Sequence, residues 1–117
     1  MRRDFQPIFR AANSRLADLP LERCRELELI ALKAAPRPPG PRPEMMRQLL
    51  KDLKAAPADE ALRKRSHDTL RRVYVELQKQ GSAEELRTAL NAYLDGQGEL
   101  AAKWLSLDVV LRPFGEL

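Results

Sequence analysis

The chain has 117 residues, with 21 Lys and Arg against 17 Asp and Glu for a net charge of +4. That length suits one domain, able to bury about two-thirds of the surface its unfolded form exposes. No apolar run nears the roughly 20 residues that cross a bilayer. No basic start leads into an apolar leader with a cleavage site. A lone Cys24 excludes an internal disulfide framework, and a lone His67 leaves zinc short of ligands. The expected setting is the reducing cytoplasm.

Leu occurs 20 times and Ala 15 times, while Val, Ile and Thr total eight. Leu and Ala favour helix and β-branched residues favour strands, so the composition predicts an all-α fold. The spacing of apolar residues predicts five or six helices in a small bundle. The first runs over about 5–17, where Phe5, Ile8, Phe9, Ala12 and Leu16 recur at three- and four-residue intervals. Asp18 and Pro20 read as a turn and a fresh start. The second, over 21–35, has Cys24, Leu27 and Ala31 on one side and Leu29 and Leu32 on another. A helix apolar on two sides belongs at the centre of a bundle or under a partner.

Residues 36–43 read Pro-Arg-Pro-Pro-Gly-Pro-Arg-Pro. Proline lacks a backbone donor and pushes its predecessor out of the α region, so this segment is expected to be an extended connector. It divides the single domain into an N-terminal hairpin (1–35) and a C-terminal bundle (44–117). It also holds two PxxP spacings, the pattern that docks in aromatic grooves, though a stiff spacer explains it as well.

Pro43 can open the third helix, whose stripe is Met45, Met46, Leu49, Leu50 and Leu53, and Ala56-Pro57 closes it. The fourth and longest covers about 59–80, with Leu62, Ser66, Thr69, Leu70, Val73 and Leu77 inward and Tyr74 at the edge. Gly81 stops it. Ser82 and Glu85 then form a capping box, the most specific local signal in the chain. The fifth helix, 83–94, buries Leu86, Ala89, Leu90 and Tyr93, and Asp95-Gly96-Gln97-Gly98 breaks it. A sixth is expected from Glu99, with Leu100, Ala101, Trp104 and Leu105 inward. Residues 107–111 suit either a helix or a short strand.

Catalytic chemistry finds no foothold in these residues. His67 has Arg63, Lys64 and Arg71 as helical neighbours and no carboxylate to orient it. Cys24 lies on an apolar face, and a buried thiol is inert. Glu84 and Glu85 belong to a helix start, where negative charge is stabilising. Glu26 and Glu28, two apart on a helix, do not converge. Gly96-Gln97-Gly98 lacks the strand and third glycine of a dinucleotide fingerprint. The expectation is a non-enzyme with no cofactor, no metal and no small-molecule substrate.

Three features remain to meet a partner: a basic face, the proline-rich segment with its PxxP spacings, and an apolar surplus. The first 80 residues hold 18 Lys and Arg against 11 Asp and Glu, while the last 37 hold 3 against 6. On the fourth helix, Lys64, Arg65, Arg71, Arg72 and Lys79 are placed opposite the inner stripe, the footprint of phosphate binding or of a plain solvated face. Helix-turn-helix reading of DNA is disfavoured, because Glu84 and Glu85 would meet phosphates at the start of the recognition helix. The third feature is apolar surplus: Phe5, Ile8, Phe9, Leu29, Leu32, Val109, Val110 and Phe114 exceed the needs of one small bundle, unless the N- and C-terminal elements cover each other. The preferred reading is therefore an interaction module (a regulator, adaptor or chaperone-like subunit) that binds a protein partner or itself through these residues, away from membranes. The alternative is a nucleic-acid accessory protein using the basic face.

Overall fold

The computed structural model describes residues 4–34 and 43–100. They form α1 (Gln6–Ala17), α2 (Leu21–Ala34), α3 (Pro43–Ala55), α4 (Glu60–Gln80) and α5 (Ala83–Leu94), followed by a 3₁₀ turn, Gly98–Leu100. No strand occurs among the described residues, so the chain is an all-α bundle. Among the described residues, no helix is long and apolar enough to cross a membrane. The proline-rich connector, except for Pro43, lies outside the described residues. So do Ala101, Trp104 and Leu105 of the expected sixth helix and the whole 107–111 stretch.

Local chemistry sets each boundary. Pro20 precedes α2 rather than entering it, and its carbonyl accepts from the amides of Arg23 and Cys24. Pro43 is the first residue of α3, where the missing amide proton has no helical acceptor anyway. Asp59 caps α4 by accepting from the Ala61 amide at 2.9 Å. The expected capping box is present in both directions: Ser82 Oγ accepts from the Glu85 amide at 3.1 Å, and Glu85 Oε1 from the Ser82 amide at 3.2 Å. Gly81 ends α4 in extended backbone, and its role is steric: a Cβ there would sit 2.2 Å from Leu77 Cδ2. Gly96, at φ +85°, supplies the left-handed step after α5. The Gln97 amide reaches back to the Ala92 carbonyl and the Gly96 amide to that of Tyr93, the two bonds of a Schellman cap.

The centre is a three-helix unit in which α4 packs on both α2 and α5. Leu27, Leu62, Leu70, Leu77, Leu86, Leu90 and Tyr93 are all but sealed from solvent. Helix α1 lies across α4 and α5 and contributes Ala12 and Leu16. Helix α3 leans on α2 with Met46 and Leu53 buried. Helix α2 touches α3, α4, α5 and the 3₁₀ turn, which explains why it is apolar on two sides. Leu100, expected inward, is 54 % exposed at the end of that turn.

The core is not wholly apolar. Glu28 and Arg65 are both buried, and Glu28 Oε1 lies 3.1 Å from Arg65 Nε. Glu28 Oε2 accepts from Thr69 Oγ1 at 2.7 Å and from the Tyr93 hydroxyl at 2.6 Å. The Tyr93 hydroxyl also lies 3.0 Å from Ser66 Oγ, and Ser66 reaches the Cys24 carbonyl at 3.5 Å. This chain joins α2, α4 and α5 through side chains, so each buried polar group has company in low dielectric. Burial, then the Glu28 charge, push Tyr93 well above the usual phenol range. Burial raises Cys24 as well, against a smaller lowering by its hydrogen bond with Ser66.

Candidate functional site

The described surface has one region where aromatic, polar and charged side chains meet beside open space: the seam between α1 and α4. Its residues come from two patterns. Phe9, Asn13 and Leu16 recur on α1 at four- and three-residue steps, and Arg63, His67, Leu70 and Tyr74 do the same on α4. Packing one row against the other brings them together. The Phe9 ring stacks on Tyr74 with centroids 4.6 Å apart and planes 5° from parallel. His67 lies 5.8 Å from Phe9, tilted by 41°. All three rings are half-buried.

Two polar contacts tie the seam. His67 Nδ1 donates to Asn13 Oδ1 at 3.0 Å. Arg63 sends its guanidinium across the end of α1, donating to the carbonyls of Leu16 at 2.8 Å, Ala17 at 3.3 Å and Leu19 at 2.9 Å. The Leu16 carbonyl also accepts from the Leu19 amide at 3.1 Å, so the guanidinium adds to the turn that ends α1, and a cation there opposes the negative end of the dipole. Next to them opens a cleft of about 500 Å³, floored by Leu16 and Ala17 and rimmed by Asn13, Glu60, Lys64 and His67. Such a cleft can take an apolar side chain and offer a cation, Lys64, to a neighbouring carboxylate.

The residues singled out in the sequence fare unevenly. Of the apolar candidates, Phe5 is 7 % exposed and Leu32 3 %, both in the core, so neither is free to anchor a partner. Phe5 starts α1, and its amide donates to Gln78 Oε1 of α4 at 3.2 Å. Ile8, Phe9 and Leu29 are half-buried against the core and keep part of their surface. Val109, Val110 and Phe114 lie outside the described residues.

The basic candidates divide as well. Arg65 is not on the outer face: it sits about one quarter-turn from the inner stripe and is buried against Glu28. Arg72 is half-buried and 3.9 Å from Glu76. Lys64, Arg71 and Lys79 are exposed, but Asp68 and Glu76 stand among them. Cys24 is buried, as its apolar face predicts. His67 lies beside Arg63 and Lys64, as its helical spacing predicts, and Asn13 and Phe9 of α1 cover one side of it.

Sequence reasoning missed the buried pair of Glu28 and Arg65. A signal existed. Glu28 falls four residues after Cys24 and three before Ala31, on the apolar face of α2. Ser66, Thr69 and Tyr93, all read as inward-facing, announced a polar interior that needed a charged partner. Among the described residues, no group of three His, Cys, Asp or Glu side chains could hold a metal ion. No protein-family model matches the chain, and neither the curated proteins nor the solved structures include a match to it.

Proposed function

We propose that this protein is a non-enzymatic interaction module that binds a protein partner along the α1–α4 seam. The observation that carries this reading is the stacked, half-exposed pair of Phe9 and Tyr74 beside the open cleft at Leu16, Lys64 and His67. Aromatic side chains dominate the energetics of protein interfaces, because a rigid ring covers much area at little entropic loss. Most other large apolar side chains among the described residues are spent on the core, and Leu100 alone stands largely exposed. The partner that fits is a segment with an apolar side chain for the cleft and a carboxylate for Lys64.

The test is site-specific photo-crosslinking in cells that naturally express the protein. A benzophenone amino acid replaces Asn13 or Lys64 in the seam, or Thr88 on the exposed side of α5. The expected result is a discrete protein adduct from the two seam positions and none from Thr88. An adduct of twice the chain's mass would identify the partner as a second copy. Equal labelling from Thr88, or no adduct from either seam position, overturns the proposal.

A further inference from the structure

Helix α3 carries a feature that the seam does not explain. It has the sharpest division between apolar and charged faces of any helix here. Its inner face is committed, with Met46 and Leu53 buried. On another side Arg47, Lys51 and Lys54 follow at four- and three-residue steps, so all three fall on one stripe, and all are exposed. Together with Leu50 and Ala55 they line an open depression of about 530 Å³ that has no carboxylate on its walls.

The nearby acids do not cancel this stripe. Asp52 projects on another face and accepts from Gln48 Nε2 at 2.7 Å. Glu44 reaches only Arg47, at 4.0 Å, with both side chains about three-quarters exposed. Lys51 and Lys54 form no ion pair among the described residues. Elsewhere, Arg15, Arg23, Arg63 and Arg87 are each within 3.2 Å of a carboxylate. On α3, Arg47 has only this long contact with Glu44, and Lys51 and Lys54 face water beside it.

We infer that this stripe is a second binding site, and that its ligand is the phosphate backbone of a nucleic-acid duplex. Charge complementarity is the main argument. From Arg47 to Lys54 the helix rises about 10.5 Å, and a duplex strand presents a phosphate every ~3.4 Å along its axis, so three cations face three or four phosphates. An arginine between solvent and backbone can bond two phosphate oxygens at once, while the lysines act as mobile point charges. Two alternatives fit less well. A membrane surface would take up the apolar face of an amphipathic helix, but that face of α3 is already packed on α2. A protein partner would want aromatic or large apolar anchors, and the depression offers only Leu50 and Ala55. Contacts to phosphate alone position a protein without reading sequence, so binding should be indifferent to base composition.

The test is fluorescence anisotropy of the full chain with a labelled 20-base-pair duplex of arbitrary sequence. With three phosphates neutralised, the affinity should fall about 40-fold between 50 and 200 mM salt, a log–log slope near −2.7. In Lys51→Glu/Lys54→Glu, binding at 50 mM salt should drop at least tenfold. In Arg71→Glu/Lys79→Glu on α4 it should stay within about twofold, with circular dichroism showing both variants folded. The inference is overturned by no binding at 50 mM salt, or by loss on the α4 reversal with none on the α3 reversal. It is also overturned if phosphatidylserine vesicles bind at least as tightly as the duplex and lose binding in the same α3 variant, which would make the ligand a lipid surface.

Discussion

The buried pair of Glu28 and Arg65 makes a demanding prediction. Replacing Glu28 with Leu removes the counter-charge from a guanidinium that is 3 % exposed. The other partners of Glu28 are not left stranded. Thr69 Oγ1 still has the Arg65 carbonyl at 3.2 Å, and the Tyr93 hydroxyl still has Ser66 Oγ at 3.0 Å. The loss is therefore dominated by breaking the buried ion pair, which costs about 3–5 kcal/mol when one partner is removed. Arg65→Leu should cost a similar amount by leaving the Glu28 carboxylate without its cation. The double variant, Glu28→Leu/Arg65→Leu, buries no charge at all and should return to within about 2 kcal/mol of the parent or exceed it. Urea unfolding followed by helical circular dichroism reads this directly. With a slope of about 2 kcal/mol per molar, each single variant should lose roughly 2 M in midpoint. The double variant should regain most of that. A single-variant loss under about 1 kcal/mol, or a double variant no better than the singles, would refute the placement of this pair in the core.

Other perturbations follow from particular contacts. Arg63→Ala removes its hydrogen bonds to the Leu16, Ala17 and Leu19 carbonyls and should cost about 1.5–3 kcal/mol, with faster amide exchange in α1 measured by mass spectrometry. Gly81→Ala and Gly96→Ala should both destabilise, for different reasons. The first forces a methyl against Leu77, about 1–3 kcal/mol of overpacking; the second places a side chain at φ +85°, about 1–2 kcal/mol of backbone strain. Thermal melts of the two variants check both values. Stability should also fall at alkaline pH. Burial raises Tyr93 and Cys24 above their unfolded values, so the unfolded chain loses these protons first. Folding is unaffected while both groups stay protonated, and weakens as pH climbs past about 9 and then 10, by up to about 1.4 kcal/mol per pH unit for each group. Urea midpoints from pH 7 to 11 should show this fall, and Tyr93→Phe should flatten its upper part.

Much of the fold was legible because it rests on short-range patterns. Leu spacing, the Asp59 and Ser82 starts and the Gly81 stop are all fixed within one or two helical turns, and helix boundaries fell within a residue or so of expectation. What sequence reading lost depends on tertiary neighbours. Helical angle groups Arg65 with the outer cations, but one turn before Thr69 it reaches the α2 boundary, where Glu28 neutralises it. Phe5 and Leu32 looked surplus because no spacing rule shows that α1 lies across α4, or that α2 has neighbours on several sides. The seam was half legible: Phe9 and Ile8 were marked for contact, but the match of Asn13 to His67 and of Phe9 to Tyr74 needs the register of two helices 54 and 65 residues apart in the chain. Arg47, Lys51 and Lys54 are readable as a stripe from their four- and three-residue spacing alone.

The distribution of polar contacts also says where function can sit. The buried chain from Glu28 through Arg65, Thr69, Tyr93 and Ser66 fixes α2, α4 and α5 against one another, and a sliding of any one helix would strand a charge or a hydroxyl. Neither α1 nor α3 enters that network. Helix α1 is held by Arg63 at its end, by the Phe5 bond to Gln78, and by Arg15 at 2.7 Å from both Asn91 and Asp95. Helix α3 is held by Met46 and Leu53 in the core, by the partly buried Leu49 and Leu50, and by Arg25, whose guanidinium donates to the Ala56 carbonyl just past its end. The rigid unit is thus central, and both proposed surfaces involve the helices attached to it. Such an arrangement lets a partner shift α1 or α3 without breaking the Glu28–Arg65 ion pair, since the contacts that must adjust are apolar side chains and surface hydrogen bonds. Native-state amide exchange should reflect it. Protection should rank α4 and α5 highest and α3 lowest, and equal protection in α3 and α4 would mean that α3 belongs to the same cooperative unit as the core.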